Sequence, residues 1–184
     1  MRGAPPACRR CSARRRGLAG VTAVVAAGKT WARGLGVSLV ATDAATALAD
    51  PALVRALLDG IAHAHEGPLS EFPSDAEWHL VRESRADVGV AVVQRNAPRA
   101  GEASLLGLAV APEHRGRALA SKALLVIERR LARDGIARVL ARVSRTNGRG
   151  LYFMLRVGYT PVPTVEVPAG EHGDVTWFAR GRRN

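Results

Sequence analysis

Two arginines and a glycine, Arg115, Gly116 and Arg117, lie between an apolar run and a segment with helical periodicity. The first backbone N–H groups of a helix have no acceptor inside the helix, and the helix dipole makes that end positive. Guanidinium groups beside such an end, with small residues that let a ligand approach the backbone, suit a phosphate or pyrophosphate. By spacing alone, the pattern equally fits an ordinary helix that begins beside exposed arginines.

The elements around this turn predict one α/β domain over residues 36–184. Alternation and apolar runs predict strands over residues 37–42, 78–83, 87–95, 103–111 and 137–143, and a terminal hairpin over residues 161–180. Helical periodicity predicts helices over residues 51–61, 118–133 and 149–156. The strand, helix and strand between residues 103 and 143 predict a right-handed crossover between parallel strands.

Positive charge is concentrated at the N-terminus. Residues 1–35 contain eight basic residues and no acid, whereas the remainder carries only +3 of the net +11. We interpret residues 1–35 as a disordered basic arm; phosphate contacts with a nucleic acid are the alternative. Cys8 and Cys11 have no histidine or second cysteine pair nearby, so we predict no metal site.

No membrane span is expected, because no apolar stretch reaches the length that a membrane helix needs. A cytoplasmic location is the default expectation. The alternative is export, since Arg14–Arg16 precede a weakly apolar segment.

Two motifs resemble those of the GNAT superfamily of N-acetyltransferases. LAVAPEHRGRALASKAL resembles its acyl-CoA-binding motif, Q/R-x-x-G-x-G/A: Arg115 takes the first position, Ala118 that of the first glycine, and Ala120 the last. NGRGLYFMLRVGY, which begins at Asn147, resembles the segment N-x-x-A-x-x-L-Y-x-x-x-G-F. The resemblance covers roughly residues 36–180. It implies a mixed, mostly antiparallel sheet with a central parallel pair joined by a crossover helix, and helices on both faces.

The resemblance also implies residue roles around acetyl-CoA. Backbone N–H groups of the turn would hold the pyrophosphate, namely those of Arg115, Gly116, Arg117, Ala118, Leu119 and Ala120. The strand before it would pair with the pantetheine arm and polarise the thioester carbonyl through Leu108, Ala109 and Val110. Asn147 would bind the arm or the helix that follows.

The sequence departs from the family pattern at two positions. Ala118 replaces a glycine; we expect it to be helical, with its methyl group facing the phosphates and weakening binding. Met154 aligns with the tyrosine that protonates the departing thiolate, and methionine has no proton to donate. Tyr152 lies about 200° around a helix from Met154, so it would serve only in another helix register; otherwise it is a packed side chain.

A general base for the acceptor amine is not singled out by spacing. Glu102 and Glu83 are our candidates, with His79, Glu77 and Ser104 as further residues near the implied acceptor cleft. Each is alternatively a solvated surface group. Four acids precede the second predicted strand, and their field would favour a cationic acceptor if this loop borders the cleft: Glu66, Glu71, Asp75 and Glu77.

Together these features predict an N-acetyltransferase that moves the acetyl group of acetyl-CoA to a primary amine by direct attack in a ternary complex. A small-molecule acceptor is expected. The alternatives are a protein amine, an RNA-attached amine reached through the arm, and a CoA-binding or regulatory protein with little catalysis. The oligomeric state is left open, with a homodimer as one option.

Overall fold

The computed structural model describes residues 28–61, 72–163 and 174–181. The helices are α1 (Ala44–Ala47), α2 (Pro51–Ile61), α3 (Leu119–Arg133) and α4 (Gly148–Arg156). The strands are β1 (Thr30–Gly34), β2 (Val37–Thr42), β3 (Glu77–Glu83), β4 (Ala86–Arg95), β5 (Glu102–Val110), β6 (Arg138–Ser144), β7 (Thr160–Pro161) and β8 (Val175–Gly181). None of the helices in these ranges is long and apolar enough to cross a membrane.

All eight strands form one sheet in the order β1-β2-β3-β4-β5-β6-β8-β7. Only β5 and β6 are parallel, and α3 connects them; the other neighbours are antiparallel. This confirms the predicted mixed sheet with a central parallel pair.

Two apolar cores cover opposite faces of the sheet. On the face that we call the α3 face, Leu124, Ile127 and Leu131 of α3 pack with Met154 of α4 and with inward residues of the strands. On the other, the α2 face, Leu53 and Leu57 of α2 pack against β3, β4 and the end of β5. Each of α2 and α3 therefore buries one apolar side against the sheet. The Asp50 side chain also accepts a hydrogen bond from the Ala52 N–H at 2.8 Å, which caps α2.

The sheet begins earlier than the sequence analysis predicted. Residues 1–35 were assigned to the arm, but Thr30–Gly34 form β1, which pairs antiparallel with β2. Leu35 and Gly36 connect the two strands with φ of 54° and 79°, a conformation that sequence reasoning assigns to Asn-Gly and not to leucine. The folded domain thus includes Thr30. Residues 1–27 of the predicted arm, with Cys8 and Cys11, lie outside the described residues.

Candidate functional site

An opening between β5 and β6 is the central feature of the sheet. The strands pair only from Glu102 opposite Arg138 to Leu105 opposite Ala141. At that point β5 also contains a bulge, because Val92 lies opposite Gly107 and Val93 opposite Leu105, so that Leu106 is an extra residue. The strands then part. We call the opening between residues 106–110 of β5 and 141–143 of β6 the notch.

A cavity of about 100 Å³ lies in the notch and reaches both faces of the sheet. Leu57 and Leu106 border it on the α2 face, and Asn147, Phe153 and Met154 border it from α4. A ligand on one face can therefore meet a ligand on the other inside the sheet.

Backbone groups of β5 that form no hydrogen bond with a neighbouring strand face this opening. The Ala111 N–H donates to the Val88 carbonyl of β4 at 3.0 Å, and backbone groups of a strand alternate between its two sides. The N–H and C=O of Ala109 therefore point to β4, and those of Leu108 and Val110 point to the notch. Of the three residues predicted to pair with an extended ligand, Leu108 and Val110 fit and Ala109 does not.

The predicted pyrophosphate turn lies at the end of β5 and opens α3. The first hydrogen bond of α3 runs from the Lys122 N–H to the Ala118 carbonyl at 3.0 Å, so the N–H groups of Leu119, Ala120 and Ser121 have no acceptor inside the helix. Gly116 has a φ of 83° in the exposed chain before them. A helix N-terminus with free donors and a glycine turn thus meets the notch on the α3 face.

Ala118 is not helical, contrary to the sequence expectation. It is the N-cap of α3, with φ 58° and ψ 20° in the left-handed region. This conformation is the reason a glycine suits the position, because a side-chain methyl group makes it unfavourable by about 1–2 kcal/mol.

Replacing Ala118 by glycine should therefore raise the free energy of unfolding by about 1 kcal/mol, after the greater flexibility of unfolded glycine is subtracted. Urea unfolding measures the change. Ala132→Gly, at an exposed helical position of α3, is the matched control and should lower the same free energy by about 1 kcal/mol. Equal destabilisation by both substitutions would contradict the strain at Ala118.

Both arginines of the turn are held by acids of neighbouring elements. The Arg115 Nη2 lies 3.1 Å from the Asp59 Oδ2 of α2, and its Nε donates to the Val110 carbonyl at 3.1 Å. The Arg117 Nη2 lies 2.7 Å from the Glu83 Oε2 at the end of β3. Glu83, a predicted general base, is thus placed at the turn and away from the cavity.

Glu102 is also placed away from the cavity. As the first residue of β5 it lies opposite Arg138, the first residue of β6, and their side chains form an ion pair at 3.4 Å. Both residues are buried. The cavity begins at Leu105, further along the strand, so the structure does not bring this carboxylate to the acceptor space.

On α4, Met154 faces the cavity and Tyr152 does not. Met154 is buried in the lining, whereas the Tyr152 residue is 67% exposed on the outer side of the helix. The alternative register, which would turn Tyr152 inward, is therefore not adopted, and the other interpretation, a packed tyrosine, is also wrong because the side chain is exposed. Asn147 lies where either of its two implied contacts can form. It lines the cavity, and its Oδ1 accepts a hydrogen bond from the Gly150 N–H at 2.9 Å, which caps α4.

The other candidates for the general base make their contacts away from the cavity. His79 is buried on the α3 face against Trp31, with ring centroids 4.3 Å apart, and burial lowers its pKa to about 4. Glu77 pairs with Arg95 at 2.7 Å, and the Ser104 hydroxyl donates to the Ala97 carbonyl. In the described ranges, the lining of the cavity therefore contains no carboxylate and no histidine.

The acidic loop is described only in part. Asp75 accepts hydrogen bonds from Gln94 at 2.9 and 3.2 Å, which ties it, like Glu77, to β4. Glu66 and Glu71 lie outside the described residues. Sequence reasoning missed Arg142, a charged residue in the described lining of the cavity. The available signal was its place in the alternation of β6, where it follows the buried Ala141.

Comparisons with known proteins agree with this architecture. The model of the acetyltransferase (GNAT) family matches residues 53–159. The crystal structure of a probable GNAT-family acetyltransferase from Chromobacterium violaceum is similar, with a TM-score of 0.64, 21% identity and 97% of each chain covered. An acetyltransferase from Thermus thermophilus has a TM-score of 0.59 and 24% identity, over 80% of this chain and 98% of that one.

A further similar structure is a GNAT-family acetyltransferase from Elizabethkingia anophelis with acetyl-CoA bound, at a TM-score of 0.60 and 12% identity, over 81% of this chain and 100% of that one. The comparison with curated proteins gave no match. Because the family model spans more than half of the chain, and the fold and notch agree with it, this chain belongs to the GNAT family of acetyltransferases.

Proposed function

We propose that this protein transfers the acetyl group of acetyl-CoA, the donor that its family uses, to the amine of a small molecule. The observation that carries the proposal is the convergence of three features: free N–H groups at the start of α3, backbone groups of β5 that no neighbouring strand pairs with, and a cavity that passes between β5 and β6.

The donor fits the α3 face. The N–H groups from Gly116 to Ala120 and the guanidinium groups of Arg115 and Arg117 are suited to the pyrophosphate. The notch-facing backbone groups of Leu108 and Val110 are suited to an extended arm, as in strand addition. A notch-facing N–H of this strand, that of Leu108 or Val110, would polarise the thioester carbonyl.

The proposed reaction relies on positioning more than on proton transfer. Met154 has no proton for the departing sulfur, but a thiol with a pKa near 8.5 leaves adequately as a thiolate. The described lining contains no base for the amine, so the neutral fraction of the acceptor would attack directly. Orientation inside the notch and carbonyl polarisation would supply most of the acceleration.

A CoA-binding protein with little catalysis is the second candidate. Met154 in the tyrosine position and the absence of a carboxylate from the described lining favour it. Both candidates use the same donor site, so only turnover separates them.

Initial-rate kinetics with a panel of small primary amines tests the proposal. We expect N-acetylated amine and free CoA in equal amounts, with intersecting double-reciprocal lines, as direct attack in a ternary complex requires. Parallel lines would contradict direct attack. Acetyl-CoA binding without any acetylated product would favour the second candidate.

A further inference from the structure

Each arginine of the pyrophosphate turn is paired with a carboxylate from another element. The Glu83 Oε2, at the end of β3, lies 2.7 Å from the Arg117 Nη2, and the Asp59 Oδ2 of α2 lies 3.1 Å from the Arg115 Nη2. Both pairs join segments that are distant in the sequence, so they form only in the folded domain. The charges of the two arginines are thus balanced by two acids.

The two pairs differ in their exposure to solvent. The Asp59 side chain is 52% exposed and the Glu83 side chain only 22%. Solvent and salt weaken an exposed ion pair more than a partly buried one, so Glu83 restrains its arginine more strongly than Asp59 does. The side chains of Arg115 and Arg117 are both partly exposed and therefore remain open to an anion.

A pyrophosphate at the N-terminus of α3 competes with these carboxylates for the arginines. If an arginine turns to the phosphate, its ion pair is broken. If it stays with its acid, a carboxylate remains close to the phosphate and repels it. Both cases have the same sign, so each acid opposes the binding of the anion.

The pairing of Arg115 does not aim its guanidinium group at the pyrophosphate in advance. Its partner Asp59 belongs to α2, which packs on the opposite face of the sheet from α3. The Arg115 Nε also donates to the Val110 carbonyl at the end of β5. The guanidinium must leave Asp59 to meet a phosphate at α3, so this contact opposes binding.

We propose that Glu83 and Asp59 are affinity-setting residues of the donor site: each withholds an arginine from the pyrophosphate and so weakens the binding of acetyl-CoA. This inference rests on the function proposed above. The product CoA carries the same pyrophosphate, so the two acids also promote its release after the transfer.

Calorimetry on the full chain tests the proposal with Glu83→Gln and Asp59→Asn, which keep the shape of each side chain and remove its charge. Glu83→Gln should bind acetyl-CoA about fivefold more tightly than the wild-type protein, Asp59→Asn about twofold, and the double variant about tenfold. Affinity for CoA should rise by the same factors, because the pyrophosphate is common to both ligands. At about 0.5 M salt each gain should shrink, since salt screens exposed charges.

Asp75→Asn is the matched control for net charge. Asp75 is exposed and bonds to Gln94, which lies opposite Ser104 near the start of β5, whereas the turn follows the end of that strand. Its substitution should change the affinity less than about 1.5-fold, because charges this far apart are screened.

Arg117→Gln provides a second test, which separates competition for the arginine from repulsion of the phosphate. In the Arg117→Gln background, Glu83→Gln should gain about twofold or less, because Glu83 then withholds no guanidinium group. An equal gain in both backgrounds would overturn the assigned role of Glu83. A poorly folded variant cannot mimic the expected result, since the expected change is tighter binding.

The outcomes also separate this inference from the function on which it rests. Acetyl-CoA binding by the wild-type protein that is unchanged or weaker in Glu83→Gln and Asp59→Asn would overturn the inference and leave the donor site standing. Weaker binding would mean that the acids hold the arginines in position for the phosphate. Failure of acetyl-CoA to bind the wild-type protein would refute the proposed function and this inference together.

Discussion

Acidification should lower the free energy of unfolding by about 3 kcal/mol through His79 alone, between its ordinary pKa of 6.5 and its folded pKa of about 4. Burial is the main cause of the low pKa, and the charge of Arg95 adds to it, while a backbone hydrogen bond with Glu77 opposes it. The unfolded chain binds this proton below pH 6.5 and the folded chain only near pH 4. The contribution of His79 to the free energy of unfolding is therefore fully present above pH 6.5 and is lost as the pH falls towards 4.

Urea unfolding near neutral pH and at about pH 4.5 measures this effect against a variant without the titrating group. His79→Phe keeps a ring against Trp31 and removes the proton site. The wild-type protein should lose about 2–3 kcal/mol more than His79→Phe between the two pH values, because all other groups titrate in both. An identical pH dependence of the two proteins would show that His79 does not carry the effect.

Arg115→Glu should weaken acetyl-CoA binding at least about 100-fold, or about 3 kcal/mol. The substitution removes the bond to the Val110 carbonyl and places a carboxylate beside Asp59, at the end of α3 proposed to hold the pyrophosphate. Calorimetry at moderate salt measures the affinity.

Arg129→Glu is the matched control, because it makes the same change in net charge at an exposed position within α3, away from the turn that contains Arg115. Its effect should stay below about threefold, since that position is two turns or more from the N-terminus of α3. Comparable losses in both variants would mean that net charge, and not the turn, determines the affinity.

Much of the fold follows from local patterns in the sequence. The crossover over residues 103–143 is predictable because strand, helix and strand each have their own periodicity and are separated by short turns. Strand β1 is not predictable from the sequence, because TWARG has no alternation of apolar and polar residues and the turn after it places a leucine at positive φ. Its place in the sheet depends on tertiary packing of Trp31, which lies beside His79.

The donor side was predictable because its groups belong to the backbone of one short motif. The bulge at Leu106 was not visible, although it determines which of residues 108–110 face the notch. Positions of side chains depend on register between distant segments: Glu102 meets Arg138, and Glu83 meets Arg117, through pairings that no local pattern encodes. For the same reason Arg142 was found only in the structure.

Amide hydrogen exchange of the full chain, with and without acetyl-CoA, tests the central claim most directly. The claim is that one ligand occupies both the free edge of β5 and the N-terminus of α3. We predict slower exchange on binding at Leu108, at Val110 and across residues 116–121, and little change at Ala109, whose N–H already points to β4. Binding of acetyl-CoA with protection confined to other segments would contradict the account.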